Sequence, residues 1–152
     1  MTRTPLTLCF IHDDTRILLG MKKRGFGAGK WNGFGGKVEA GETIEDAARR
    51  ETYEEIGIEV NALAESGALT FIYPRTEQAL DVSVFRVETF QGEPKETDEM
   101  RPAWFPIDAI PFERMWLDDP HWLPIFLAGK RFEGRFVFED DDTLLEYAVR
   151  EV

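Results

Sequence analysis

Residues 36–58 read GKVEAGETIEDAARRETYEEIGI, and the fold is legible from this stretch outward. Thr43 with Asp46 three residues on resembles a capping box, with Asp in place of the usual Glu or Gln. Ala47, Ala48 and the long side chains that follow favour helix, and Gly57 is placed to end it. At about 100° per residue, Ile44, Ala47 and Ala48 share one face and are expected to be buried. Glu51, Glu54 and Glu55 continue that face, because positions three and four apart stack on a helix. Asp46, Arg49 and Tyr53 point away from it.

Three carboxylates on a buried stripe demand an explanation. Two like charges about 6 Å apart at an effective dielectric of about 20 repel by roughly 3 kcal/mol. Three such pairs would consume a large share of a typical domain stability of about 5–15 kcal/mol. Arg50 can offset one of them. A divalent cation would turn the repulsion into coordination, and an all-oxygen cluster suits Mg²⁺ or Mn²⁺. The alternative is a solvated acidic helix end.

The 152-residue chain is long enough for one domain, 1–152, with a core of its own. Its 43% hydrophobic content, 12 Phe and 4 Trp point to a globule and not a disordered chain. The one cysteine, Cys9, allows no internal disulfide and leans towards a reducing, cytoplasmic setting. Cys9 lies in an apolar run and reads as a buried filler. No apolar run approaches the length of a membrane span, and no signal peptide is evident. The net charge of −11 disfavours a nucleic-acid polymer as partner. Residues 21–38, however, carry Lys22, Lys23, Arg24, Lys30 and Lys37 with no acid among them. A basic patch beside an acidic helix can hold a polyphosphate; the plainer reading is a solvated Gly-rich hairpin loop. The Gly-rich run is not a Walker loop, since no Gly-Lys-Ser/Thr closes it.

Thr4–His12 and Arg16–Met21 read as strands of a hairpin, and residues 31–34 as a short strand ending at Gly35-Gly36. After the helix, 68–73 and 79–88 read as strands around a Pro74 loop. Residues 91–101 read as a loop, 104–106 as a short strand and 107–110 as a helical turn. Asp118-Asp119-Pro120 reads as a turn or helix entry, followed by a helix over 121–128. Residues 131–138 and 144–152 alternate like strands. With no cysteine near His12 or His121, a zinc site is not expected.

The framework Gly36, five residues, Glu42, seven residues, Arg50-Glu51-Thr52-Tyr53-Glu54-Glu55-Ile56-Gly57-Ile58 resembles the Nudix box, G-x5-E-x7-R-E-U-x-E-E-x-G-U, where U is bulky and apolar. Only Thr52 departs from it. Likeness to the MutT-like branch of that family that acts on oxidised purine nucleotides extends to residues 20–37, 41–46, 98–102, Met115-Trp116, Asp118-Asp119 and 150–152. The resemblance implies an α/β Nudix fold, an α/β/α sandwich around a mixed sheet. It implies Mg²⁺-dependent hydrolysis of oxidised purine nucleoside triphosphates, with Mn²⁺ as the alternative cation, by a monomer.

On the same resemblance, the metal is held by Glu51, Glu54, Glu55, Glu99 and the Gly35 (or Gly36) carbonyl. Arg50 orients the cluster and Glu42 braces Arg50. Thr7, Phe26, Asn32, Phe71, Met100, Trp116, Asp118, Asp119 and Trp122 surround the purine, Lys22 and Lys37 are available to the phosphates, and Phe34, Gly35 and Gly36 complete the substrate-binding set. Adjacent aspartates facing a base make chemical sense if one of them keeps a proton. Two other readings stay open: another nucleoside diphosphate-linked substrate, or a nucleotide-binding module without catalysis.

Overall fold

A computed structural model describes all of residues 1–152. Eight strands form the sheet: β1 (Thr2–His12), β2 (Arg16–Lys22), β3 (Trp31–Asn32), β4 (Glu59–Tyr73), β5 (Gln78–Gln91), β6 (Met100–Pro106), β7 (Phe132–Asp140) and β8 (Thr143–Glu151). They run in the order β3-β2-β1-β5-β4-β7-β8, with β6 also paired to β2. The sheet is mixed, because β1 pairs parallel with β5 and β4 parallel with β7, while the remaining pairs are antiparallel. Helix α1 (Ile44–Ile56) packs on one face and α2 (Asp119–Leu127) on the other. This is the α/β/α arrangement expected, and no helix is long and apolar enough to cross a membrane.

Alternation along β1 divides the core into its two layers, since successive side chains face opposite ways. Cys9 and Ile11 join Phe34, Ala48, Ile56, Ile58 and Phe85 beneath α1. Phe10 joins Leu69, Val82, Trp122, Phe126, Phe132 and Phe136 beneath α2. Cys9 is thus the buried filler expected, and burial pushes its thiol up to about 12.

The pairing of β1 makes room for a site. It bonds β5 from Thr2 to Phe10 but β2 only at Ile11 and His12. Over the rest of its length, its free edge is covered by the segment after β3, through bridges Leu6 to Lys37 and Cys9 to Phe34. Close approach is possible there because that segment is glycine-rich. A Cβ on Gly35 would lie 1.9 Å from the Thr7 carbonyl oxygen.

Helix α1 begins and ends where the sequence says. Thr43 is its N-cap, its hydroxyl accepting the Asp46 N–H at 3.1 Å, and Gly57 closes it in the left-handed conformation at φ 72°. Only half of the capping box forms, for the Asp46 carboxylate turns to Arg49 instead, 3.7 Å away. Thr52, the departure from the box, is fully buried and donates to the Ala48 carbonyl at 2.8 Å. The expected strands 68–73 and 104–106 are longer than read, β4 starting at Glu59 and β6 at Met100. Register shifts between Val60 and Gly67 break the alternation in β4, and Pro102 interrupts the strand pattern in β6.

Replacing Thr43 by Ala removes a cap hydrogen bond and is expected to lower unfolding free energy by about 1 kcal/mol. Asp46→Ala, which loses no cap bond, should cost less than half as much. Urea denaturation of the two variants checks both values.

Candidate active site

The buried stripe of α1 carries its acids unequally. Glu55 is buried, Glu51 half-buried and Glu54 exposed, and Ile44, expected inside, is 40% exposed. The expectation of three carboxylates turned inward is therefore corrected to one at the centre and one at the margin. Thr52 takes the interior place beside Ala48 that a 100° wheel drawn from Ile44 assigned elsewhere.

Arg50 organises the margin. Its guanidinium donates to both oxygens of Glu42 at 2.7 and 2.9 Å, to Glu51 at 2.9 Å and to the Lys37 carbonyl at 3.0 Å. Glu54 lies 3.4 Å from it. Glu42 is held down at about 2, chiefly by its hydrogen bonds from Arg50. This is the bracing of Arg50 that the resemblance implied, and it ties the helix to the chain that leaves the glycine turn.

Glu55 Oε1 accepts the Gly35 N–H at 2.8 Å. Burial, reinforced by Glu51 and Glu99, nevertheless pushes its carboxyl up to about 8. Glu51 is shifted upward by burial too, with Glu54 and Glu99 adding to the effect. Glu99 reaches this group from the turn before β6, where its carbonyl accepts the Lys23 N–H. Gly36 is needed because a Cβ there would stand 2.6 Å from the Glu51 carboxyl carbon. The Gly36 carbonyl accepts from Thr7 N at 2.9 Å, whereas the Gly35 carbonyl accepts no hydrogen bond.

As the side chains stand, no three acidic, histidine or cysteine groups converge closely enough to enclose an ion. The reason is visible: Arg50 draws Glu51 and Glu54 to itself and Gly35 holds Glu55. The donor chemistry nonetheless suits a divalent cation. Glu51, Glu55 and Glu99 border one end of a single cavity, repel one another, and are joined by the unpartnered Gly35 carbonyl.

That cavity measures about 1000 Å³ and runs from the glutamates across the α2 face of the sheet. Of the five cations in residues 21–38, Lys23 is paired with Glu96 at 2.6 Å and Lys30 lies 3.8 Å from Asp142. Lys22 and Lys37 have no ion pair and line the cavity near the glutamates. Thr7, Gly35 and Gly36 line it there as well.

The opposite end is aromatic. Trp116 and Phe26 pack with centroids 5.0 Å apart, and Lys30 Nζ lies 5.2 Å from the Trp116 ring centre. Phe71 and Met100 contribute further wall. Asn32 lines the cavity, and its carbonyl oxygen accepts the Gly33 N–H at 2.8 Å. Its amide N–H groups make no contact with the protein and are therefore the atoms it can offer a ligand.

Asp118 and Asp119 open α2 but do not cap it by side chain. Both are buried on the cavity wall. Asp118 accepts the Trp122 indole N–H at 2.7 Å and Asp119 accepts the Trp116 N–H at 3.1 Å. Burial pushes Asp118 up to about 6, and Asp119 is raised as well, its burial joined by repulsion from Asp118.

Two residues expected to meet the substrate do not line the cavity. Phe34 is fully buried in the α1 layer with Cys9 and Ala48, where its bridge to Cys9 holds it. Trp122 is fully buried behind Asp118 and steers that carboxylate instead of lining the cavity. Tyr73, missed in the sequence reading, does line it. Its place two residues after Phe71 in the same strand was the available signal.

A mixed sheet between two helices, with a braced glutamate helix at one end of a cavity and a buried acidic pair at the other, defines a nucleotide-handling class. The chain belongs to the Nudix family: residues 2–126 match the NUDIX domain. It is 54% identical to the oxidized purine nucleoside triphosphate hydrolase of Danio rerio, over 97% of this chain and 94% of that protein. Identity to the Mus musculus protein of the same description is 51%, over 96% and 94%. The crystal structure of the mutator MutT protein from Bacillus halodurans superposes with a TM-score of 0.82 at 26% identity, covering 96% of this chain and 97% of that one.

The aspartate pair gives a pH prediction. A carboxyl raised in the folded state keeps a proton that the unfolded chain gives up. Its contribution is therefore fully present below the unfolded pKa near 3.8 and is lost as pH rises through the folded value. Asp119→Asn retains the acceptor for Trp116 N–H and cannot ionise. Its unfolding free energy should increase relative to the parent's by about 1–3 kcal/mol between pH 4 and pH 8, the variant becoming relatively more stable, read from denaturation midpoints at the two pH values.

Proposed function

We propose that the chain hydrolyses oxidised purine nucleoside triphosphates, of the 8-oxo-dGTP and 2-oxo-dATP type, to the monophosphate and pyrophosphate, and so clears them from the nucleotide pool. The observation that carries this reading is the polarity of the cavity. Unpaired lysines and clustered glutamates lie at one end, and an aromatic wall with a buried, proton-sharing aspartate pair lies at the other. The shared activity of the vertebrate relatives at more than half identity supports the same substrate class.

Lys22 and Lys37 attract the phosphate chain into an otherwise acidic protein. The proposed holders of Mg²⁺, or Mn²⁺ in its place, are Glu51, Glu54, Glu55, Glu99 and the Gly35 carbonyl. When bound, such an ion neutralises phosphate oxygens and lowers the pKa of water. Arg50 positions the glutamates through Glu42 and Lys37. One of the glutamates accepts the proton of the attacking water.

At the other end, Trp116 stacks on the base, Phe26 backs it, and Phe71 and Met100 bound it. The Asn32 amide donates to an acceptor on the purine edge. Asp119 in its protonated form donates to an oxo group while Asp118 accepts from an N–H. Exchange of the proton between the two admits both oxidised guanine and oxidised adenine. The chain is taken to work as one 1–152 unit, a monomer in the cytoplasm, without a nucleic-acid polymer.

A pyrophosphate-release assay on a nucleotide panel tests this directly. Hydrolysis should favour oxidised purine triphosphates, require Mg²⁺ or Mn²⁺, and stop with chelator. Glu55→Gln keeps the acceptor for Gly35 N–H and should fold normally while turnover falls by roughly a hundredfold or more. Asn32→Ala removes a buried polar contact of about 1–3 kcal/mol and should reduce base selectivity roughly ten- to a hundredfold. Turnover that ignores chelator and Glu55→Gln alike would remove the proposed chemistry.

A further inference from the structure

Tyr73 stands at the far end of the aromatic wall and has no task in the chemistry above. It follows Phe71 by two residues on β4, so both rings face the cavity, about 6–7 Å apart along the strand. Its ring stacks on Phe138, centroids 5.5 Å apart and planes 15° from parallel. That contact fixes the direction of the phenol.

Phe71, Leu80 and Phe138 line the cavity with Tyr73, and so do Asp140 and Asp141 at the tip of the β7–β8 hairpin. No protein group hydrogen-bonds the Tyr73 hydroxyl. The chain leaves no enclosed side-chain oxygen or nitrogen without a partner, so this hydroxyl is not sealed off, and Tyr73 is one of the residues that line the cavity. Burial, with the carboxylates of Asp141 and Asp118 adding to it, keeps the phenol protonated. It is therefore a donor on a cavity-lining residue with no acceptor of its own.

We propose that the Tyr73 hydroxyl is a specificity-determining contact, donating a hydrogen bond to an oxo oxygen on the purine edge. The inference rests on the oxidised-purine reading above and adds a residue to it. Asn32 and protonated Asp119 supply donors from the β3 and α2 sides of the pocket, and Tyr73 supplies one from β4. Together they make the site rich in donors, which matches a base bearing added oxo groups and mismatches one bearing none. A phenylalanine at this position would keep the stack on Phe138 and lose only the donor.

The test compares wild type with Tyr73→Phe on 8-oxo-dGTP, 2-oxo-dATP and dATP, which carries no oxo group. A neutral hydrogen bond is worth about 0.5–1.5 kcal/mol, so KM for the two oxidised nucleotides should rise roughly three- to tenfold. The fall in kcat should stay within roughly twofold, because the contact is made equally in ground and transition states. kcat/KM for dATP should stay within roughly twofold as well. Unchanged KM for the oxidised nucleotides, or an equal loss on all three substrates, overturns the contact while leaving the proposed function standing. Failure of the wild type to hydrolyse either oxidised nucleotide overturns both.

Discussion

Everything at the glutamate end of the cavity depends on one guanidinium. Arg50 joins Glu42, Glu51 and the Lys37 carbonyl in a single hydrogen-bonded knot. The knot fixes α1 against the chain that has just crossed β1 through Gly35 and Gly36. Without it, the repulsion among Glu51, Glu54 and Glu55 would oppose packing the helix at that spot. With it, Glu55 can be buried against Gly35 N–H while Glu51 and Glu99 remain at the cavity margin. The cluster is thus held at close quarters by a cation that the chain itself supplies, and its remaining excess of negative charge is what a divalent ion would balance.

The rest of the electrostatics is arranged by pairing. A chain of net charge −11 would repel a polyphosphate. Its Gly-rich segment nonetheless brings cations to the cavity, and ion pairs with Glu96 and Asp142 decide which of them are committed. Lys22 and Lys37 remain uncommitted beside the glutamates. Lys30 does something different, bridging the Trp116 ring and the tip of the β7–β8 hairpin from opposite sides of the cavity mouth.

At the base end the same low-dielectric logic works through protonation. Two adjacent carboxyls buried at the start of α2 cannot both ionise cheaply, and burial raises them both. Trp122, fully buried, matters by holding Asp118 from behind. An aromatic residue thus specifies the pocket without touching what enters it. The donor and acceptor pattern presented to a purine is consequently a property of burial, and it would vanish if the same residues lay on an exposed turn.

The sequence by itself determined α1, its caps and the order of strands along the chain, because these rest on local spacing and on residue chemistry; the bracing of Arg50 by Glu42 came with the family resemblance. It also carried the family through a box whose only departure, Thr52, proved to be a packing position. What it could not determine was which side of each residue meets solvent once distant segments pack. Ile44 and Glu54 lie outward, Phe34 and Trp122 lie behind the wall, and Tyr73 lies on it. Which of the Gly35 and Gly36 carbonyls β1 engages is likewise a matter of packing. Helical and strand periodicity assign a face relative to neighbours in the chain; only tertiary packing says what that face looks upon.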